Sequence, residues 1–151
     1  MYTLSARSHK ALESCHTDLR TLAQSAITCT QVDFMVLEGY RSIARQHELY
    51  KAGRSKIDGI NKQGTHNVLP SLAFDICAFV GGCASWDVAY LTYLGGVLTA
   101  LALKLKQEGK ILHALRWGGN WDGDGKIIKD QNFIDLPHFE ILAQHRYGQK
   151  N

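Results

Sequence analysis

Asp135-Leu136-Pro137-His138-Phe139-Glu140-Ile141 sets a carboxylate three residues ahead of a histidine that enters an alternating strand. From Pro137 onward His138 and Glu140 fall on one face and Phe139 and Ile141 on the other, so one face packs while the other presents an imidazole. Pro137 removes a backbone donor and confines Leu136 to extended geometry, which places Asp135 in a turn beside His138 rather than in a helix. Together they make a candidate metal-and-base pair that needs further ligands from elsewhere in the chain.

Working outward, Leu72 to Val80 has the same period of two: Leu72, Phe74, Ile76, Ala78 and Val80 on one side, Ala73, Asp75, Cys77 and Phe79 on the other. This makes Asp75 a mid-strand carboxylate with small neighbours. Residues 56–69 are polar and hold Gly and Asn, which predicts a long loop with His66 near its end. Leu115-Arg116-Trp117 predicts another strand, followed by the Gly-rich segment Gly118 to Gly125. Phe34 to Leu37 predicts a buried strand delivering the turn Glu38-Gly39-Tyr40-Arg41. Helices are predicted before and between these strands in sequence. Ser8 caps a first one whose stripe Leu12, Cys15, Leu19, Leu22, Ala26 runs to about residue 27, and Ser42 caps a second, Ile43 to Ala52, closed by Gly53. Ser85 caps a third, Trp86 to about Gln107, with Gly109 beyond its end. The implied fold is α+β, a small antiparallel sheet bearing its polar groups on one face with helices on the other.

A chain of 151 residues with 45% hydrophobic and 21% charged residues suits one domain, 1–151, with a real core. The net charge of +3 is spread along the chain, which gives nucleic-acid binding no footing. No basic segment followed by an apolar run and a small-residue cleavage site opens the sequence, so no signal peptide is expected and synthesis is placed in a bacterial cytoplasm. Val88 to Leu105 is apolar but interrupted by Tyr, Thr, Gly and Lys, and reads as a core helix with no stable membrane association. Cys15, Cys29, Cys77 and Cys83 fit no CxxC pattern and read as buried thiols.

His66, Asp75 and His138 offer two imidazoles and a carboxylate, a set suited to Zn2+ with a fourth position open to water. Asp135 stands where it could accept a proton from that water. Each residue also has an ordinary structural alternative. A histidine among seven is more often a surface or hydrogen-bonded residue, and Asp75 could pair with Lys or Arg. Spacing alone leaves both open. Arg41 has the same two options, a substrate-binding guanidinium or an ion pair with Glu38. Trp117 and Trp121 suit either a cleft wall or the core.

Thr65-His66, Ala73-Phe74-Asp75, Asp135-Leu136-Pro137-His138-Phe139-Glu140 and Gly39-Tyr40-Arg41-Ser42 with Gln46 occur in the order found in the zinc D-alanyl-D-alanine carboxypeptidase and L-alanyl-D-glutamate peptidase family. The chain resembles that family over nearly its whole length, its bacteriophage endolysins above all. The resemblance implies a hedgehog/D-Ala-D-Ala peptidase-like fold and His66, Asp75 and His138 as zinc ligands. It also implies Asp135 as general base and Arg41 as a catalytic substrate contact; on the cleft-wall reading Trp117 is a further substrate contact. Gln46 reads as scaffold. The connection from His66 to Asp75 is two residues longer than usual in the family, a bulge that Pro70 accommodates.

The activity implied by the resemblance is that of a zinc metallopeptidase acting on the peptidoglycan stem peptide, an L-alanyl-D-glutamate endopeptidase serving as a phage endolysin. Such an enzyme would be a monomer, released to the wall through a holin. The alternatives are a D-alanyl-D-alanine carboxypeptidase and a non-catalytic zinc-bearing module like the hedgehog domains. Asn120, Asp122 and Asp124 followed by Gly125 also match the first half of an EF-hand loop, with Gln131 where a bidentate Glu belongs, so Ca2+ is a second cofactor candidate beside a polar surface turn.

Overall fold

The computed structural model describes residues 1–130 and 132–142. Its elements run α1 (Ala6–Glu13), α2 (Thr17–Cys29), β1 (Phe34–Glu38), α3 (Ile43–Lys51), a single 3₁₀ turn (Thr65–Asn67), β2 (Ala73–Val80), β3 (Cys83–Ser85), α4 (Val88–Gln107), β4 (Leu115–Gly118) and β5 (Asp135–Ile141). The sheet is antiparallel in the order β1-β2-β5-β4, and β3 pairs with the far half of β2. This is the expected α+β architecture.

One register decides both faces of the sheet. Phe74 lies opposite Phe139 and Trp117 opposite Phe139, and their rings stack at 5.6 and 6.4 Å between centroids. This aromatic row joins the core formed with α2 and α4. On the alternate face, Asp75 lies opposite His138 and Arg116 opposite Glu140. Burial of the first row therefore aims the second into a common space.

The expected first helix is two. Its stripe residues are buried as predicted, but the chain breaks at residues 14–16, because the backbone there bonds to the loop before β2: Ser71 N donates to Ser14 O at 2.7 Å and His16 N to Ser71 O at 2.9 Å. Ser5 and His16 are the caps. Ser8, expected as a cap, is buried and its Oγ accepts from Val36 N, pinning α1 to β1. Asp87, not Ser85, caps α4, because Gly81 and Gly82 take positive φ and turn the chain into the short strand β3 that contains Ser85. Asp135 opens β5 rather than sitting in a preceding turn. Of the cysteines, Cys15 and Cys77 are buried as expected, whereas Cys29 at the end of α2 and Cys83 in the edge strand are exposed.

Among the described residues, α4 alone has the length and apolarity to cross a membrane. Leu91, Leu94, Gly95, Leu98, Ala102 and Leu105 form a buried stripe along it, consistent with the core helix expected from the sequence.

Candidate metal centre and active-site cleft

Asp75 and His138 reach the site from paired strands, and His66 from the 3₁₀ turn. The loop carrying that turn returns to the sheet by Leu72 N donating to Thr65 O at 2.9 Å, and the long connection from His66 to β2 is anchored on Ser71. Arg41 N donates to His66 O and Asn67 Nδ2 to Arg41 O, so the turn is also tied to the segment after β1.

The three side chains converge. His66 Nε2 lies 3.2 Å from His138 Nδ1 and 3.3 Å from Asp75 Oδ1, and His138 Nδ1 lies 3.1 Å from Asp75 Oδ1. Donors held about 2.0–2.1 Å from a tetrahedral ion are separated by roughly 3.3 Å, so the trio has the dimensions of one face of such a polyhedron. The opposite ring atoms set the tautomers. His66 Nδ1 is 2.6 Å from the carbonyl of Gly39, which only accepts, so Nδ1 carries the proton and Nε2 a lone pair. His138 Nε2 donates to Glu140 Oε2 at 3.0 Å, directing Nδ1 at the centre. A lone pair on each imidazole and a carboxylate oxygen facing one another require positive charge between them. Without a metal, that charge is a proton on His138: burial opposes it, but Asp75 and Glu140 raise this imidazole to about 9. The donor set and its dimensions fit a divalent ion in the same place.

Asp75 also binds Arg41 through Oδ2. Burial raises the Asp75 pKa, yet the two histidines outweigh it and hold the carboxylate well below its ordinary range. The Arg41 guanidinium bonds Glu38 Oε2 from Nε at 2.6 Å as well, so the expected ion pair with Glu38 exists while Arg41 lines the cleft. Asp135 is half-buried in the same cleft, and burial, then the nearby charge of Asp75, raise its pKa. The cleft has a volume of about 310 Å³ and is open to solvent.

Two glycines are close-approach requirements of this site. A Cβ on Gly118 would stand 2.2 Å from the Asp135 carbonyl oxygen, and one on Gly39 would stand 2.4 Å from Cys15 Sγ and 2.7 Å from Ala11 O. The first lets β4 pass Asp135; the second lets the carbonyl that orients His66 sit against α1.

Residues 1–142 match the family described as phage L-alanyl-D-glutamate peptidase. The chain belongs to that family. It is 31% identical over 117 residues to the peptidoglycan L-alanyl-D-glutamate endopeptidase CwlK of Bacillus subtilis (strain 168), a match covering 74% of this chain and 62% of CwlK, so it spans under two thirds of that relative's length. The crystal structure of the L-Ala D-Glu endopeptidase ChiX of Serratia marcescens superposes with a TM-score of 0.69 at 28% identity, covering 93% of this chain and 90% of ChiX.

In this phage-peptidase family member, Trp117 is not a cleft residue. Its indole lies over Gly95 and Gly119, its Nε1 donates to Leu136 O at 2.7 Å, and it is 4% exposed. It lines a groove of about 650 Å³ between α4 and the Gly-rich loop, which adjoins the cleft at Arg116 and Trp121 but contains none of the trio. Trp121 takes the cleft position, 5.4 Å from the His138 ring and stacked on Phe133. Gln46 is buried and donates from Nε2 to Ser55 Oγ and Ile57 O, the scaffold role expected.

Glu140, Thr65 and Arg116 were not singled out by sequence. Glu140 accepts from His138, from Thr65 Oγ1 at 2.9 Å and from Arg116, and against the upward pull of burial His138 and Arg116 hold it at about 2. The signal was present: Glu140 is two residues from His138 on the same strand face.

In the Gly-rich loop, Asp122, Asp124 and Asp130 have carboxylate oxygens within 4.8 Å of one another, with Lys126 Nζ 2.9 Å from Asp124 and 3.6 Å from Asp130. Asn120 Oδ1 is buried without a hydrogen-bond partner. Gln131 lies outside the described residues.

Proposed function

We propose that this protein is a zinc-dependent L-alanyl-D-glutamate endopeptidase of the peptidoglycan stem, acting as a phage endolysin. The observation that carries it is the His66–Asp75–His138 triangle with edges of 3.1–3.3 Å beside the half-buried Asp135. Family membership and the activities of CwlK and ChiX support the choice of bond. As a lysis enzyme it is made in the host cytoplasm, reaches the wall after holin-mediated permeabilisation, and works as a monomer.

His66 Nε2, His138 Nδ1 and Asp75 Oδ1 would hold the ion, and bound zinc would supply a Lewis acid and bring the pKa of a water at its open position to about 7. Asp135 takes a proton from the attacking water and passes it to the departing amide nitrogen of D-glutamate. Its pKa, raised by burial and by Asp75, suits it to both transfers. Arg41, held by Glu38 and Asp75, presents its guanidinium to a substrate carbonyl or carboxylate oxygen. Trp121 and Phe133 form an apolar wall that orients the stem peptide.

The test is mass spectrometry of muropeptides digested with the zinc-loaded enzyme. Released stem peptides starting at D-glutamate are expected; loss of a terminal D-alanine alone identifies the carboxypeptidase alternative. An Asp135→Asn protein that retains zinc and still lyses walls removes Asp135 from the mechanism, and a wild type that retains zinc without cleaving supports a binding module.

Calcium in the Asn120–Gly125 loop is a second proposal. It is favoured by the orphaned Asn120 Oδ1 and by the carboxylates Asp122, Asp124 and Asp130. Millimolar Ca2+ is expected to raise the melting temperature of wild type but not of Asp122→Asn/Asp124→Asn; equal shifts in both sink it.

A further inference from the structure

Outside the cleft, a second set of imidazoles and a carboxylate comes together from segments far apart in sequence. His16 caps α2, its Nδ1 accepting from Asp18 N at 3.1 Å. Asp18, in the first turn of α2, is buried, and its Oδ2 accepts from Leu112 N, His113 N and His113 Nδ1, each at 2.9 Å. Oδ1 points the other way, 3.9 Å from His16 Nδ1. The His113 ring stands edge-on to that of His16, with centroids 5.0 Å apart. Ligand atoms of the three lie within 4.8 Å of one another.

Three properties set this cluster apart from an ordinary buried carboxylate with hydrogen bonds. His16 Nδ1, as an acceptor of a backbone N–H, is an unprotonated lone pair. His113 Nδ1 donates to Asp18 Oδ2, so this ring turns Nδ1 to a cation only by releasing that proton. Asp18 Oδ2 takes three N–H donors and no acceptor, the surroundings of a carboxylate anion. The site therefore offers two imidazoles and a carboxylate with ligand atoms close together. Both imidazoles are partly solvent-exposed, at 27% and 33%, so a cation has a way in and the rings have room to close.

We propose that His16, Asp18 and His113 form a second divalent-cation site for an imidazole-seeking metal of the zinc and nickel class, clipping the start of α2 to the segment before β4. The donor chemistry is that of the cleft trio, but the His16 Nδ1–Asp18 Oδ1 edge is 3.9 Å against cleft edges of 3.1–3.3 Å, and both Nδ1 atoms are already hydrogen-bonded to Asp18. The rings must move inwards, so this site binds more weakly than the cleft. Carboxylate and imidazole donors without sulfur select Zn2+, Ni2+ or Cu2+ over Mg2+ or Ca2+.

The experiment titrates Ni2+ alone into the full chain carrying His66→Ala, which removes a cleft ligand, by calorimetry with thermal melts. One equivalent is expected to bind and to raise the melting temperature. Two further variants keep the local structure while removing a ligand. His16→Asn preserves an N-cap, and His113→Gln preserves a donor to Asp18. Each is expected to weaken Ni2+ at least tenfold. If His66→Ala does not fold, zinc-loaded wild type replaces it, and the second equivalent is compared between wild type and His16→Asn. Absence of binding overturns the proposal. So does an equivalent that survives both variants, which would belong to Asp122, Asp124 and Asp130 or to the exposed thiols of Cys29 and Cys83.

Discussion

Glu140→Gln is the most informative change near the cleft, because it alters charge and donor pattern while conserving shape. Glu140 Oε1 accepts from Arg116, and Oε2 accepts from Thr65 Oγ1 and His138 Nε2. A glutamine has one oxygen for these two clusters of donors. If that oxygen faces Arg116, its NH2 meets the His138 Nε2–H. The conflict is relieved when the imidazole moves its proton to Nδ1, the atom that faces Asp75 and His66. The ligand lone pair is then lost. If the oxygen faces His138, the NH2 confronts the Arg116 guanidinium instead, and β4 loses one side-chain tie to β5 while the backbone ladder remains. A hydrogen bond to a charged group contributes about 1.5–3 kcal/mol. At about 1.4 kcal/mol per tenfold this corresponds to roughly 10- to 150-fold in metal affinity, in line with the usual cost of about 10–100-fold for losing an outer partner of a ligating histidine. The assay is zinc competition against a chromophoric chelator, with circular dichroism to confirm folding. Zinc affinity within about threefold of wild type in a folded Glu140→Gln protein refutes the tautomer argument, since so small a loss falls below the cost of removing such a partner.

Two other outcomes rest on the same geometry. Because a base must be ionised to act, kcat/KM at saturating zinc is expected to fall on acidification as Asp135 takes up a proton. Asp135→Asn should remove that acid limb and cost about 10²- to 10⁴-fold in rate with zinc retained; an unshifted limb in the variant assigns the ionisation to another group. Gly118→Ala drives a Cβ to 2.2 Å from the Asp135 carbonyl. It is expected to cost about 1–3 kcal/mol of stability by overpacking and to lower kcat more than zinc affinity, and equal losses in both would place the disturbance at the trio instead.

Much of the site was legible because period-two alternation is a local property. It put Asp75 and His138 on the polar faces of their strands without knowledge of how those strands pair, and Ser42 with Gly53 bounded α3 closely. The break at residues 14–16 was not legible, since its cause is a bond to Ser71 across the fold while the helical stripe continues unbroken in sequence. Trp117 and Trp121 illustrate the same divide. Both flank a glycine-rich segment, but only the register of β4 against β5 puts Trp117 on the Phe139 side and leaves Trp121 to the cleft. Arg116 and Glu140 gained their roles from that register too.

The coupling between core and chemistry has the same origin. Phe74 and Phe139 stack on the inner face because β2 and β5 pair in one register, and Asp75 and His138 face each other one residue further along the same ladder. A slip of β5 by one residue would turn His138 into the core and Phe139 to the cleft face, while a slip of two would preserve the faces and separate His138 from Asp75. Trp117, seated on Gly95 of α4 and bonded to the Leu136 carbonyl, opposes either slip by fixing β5 from the other side. The residue expected to touch substrate thus acts on the site through the strand that carries His138, and its loss would be felt first as a fall in metal affinity rather than as a rise in KM.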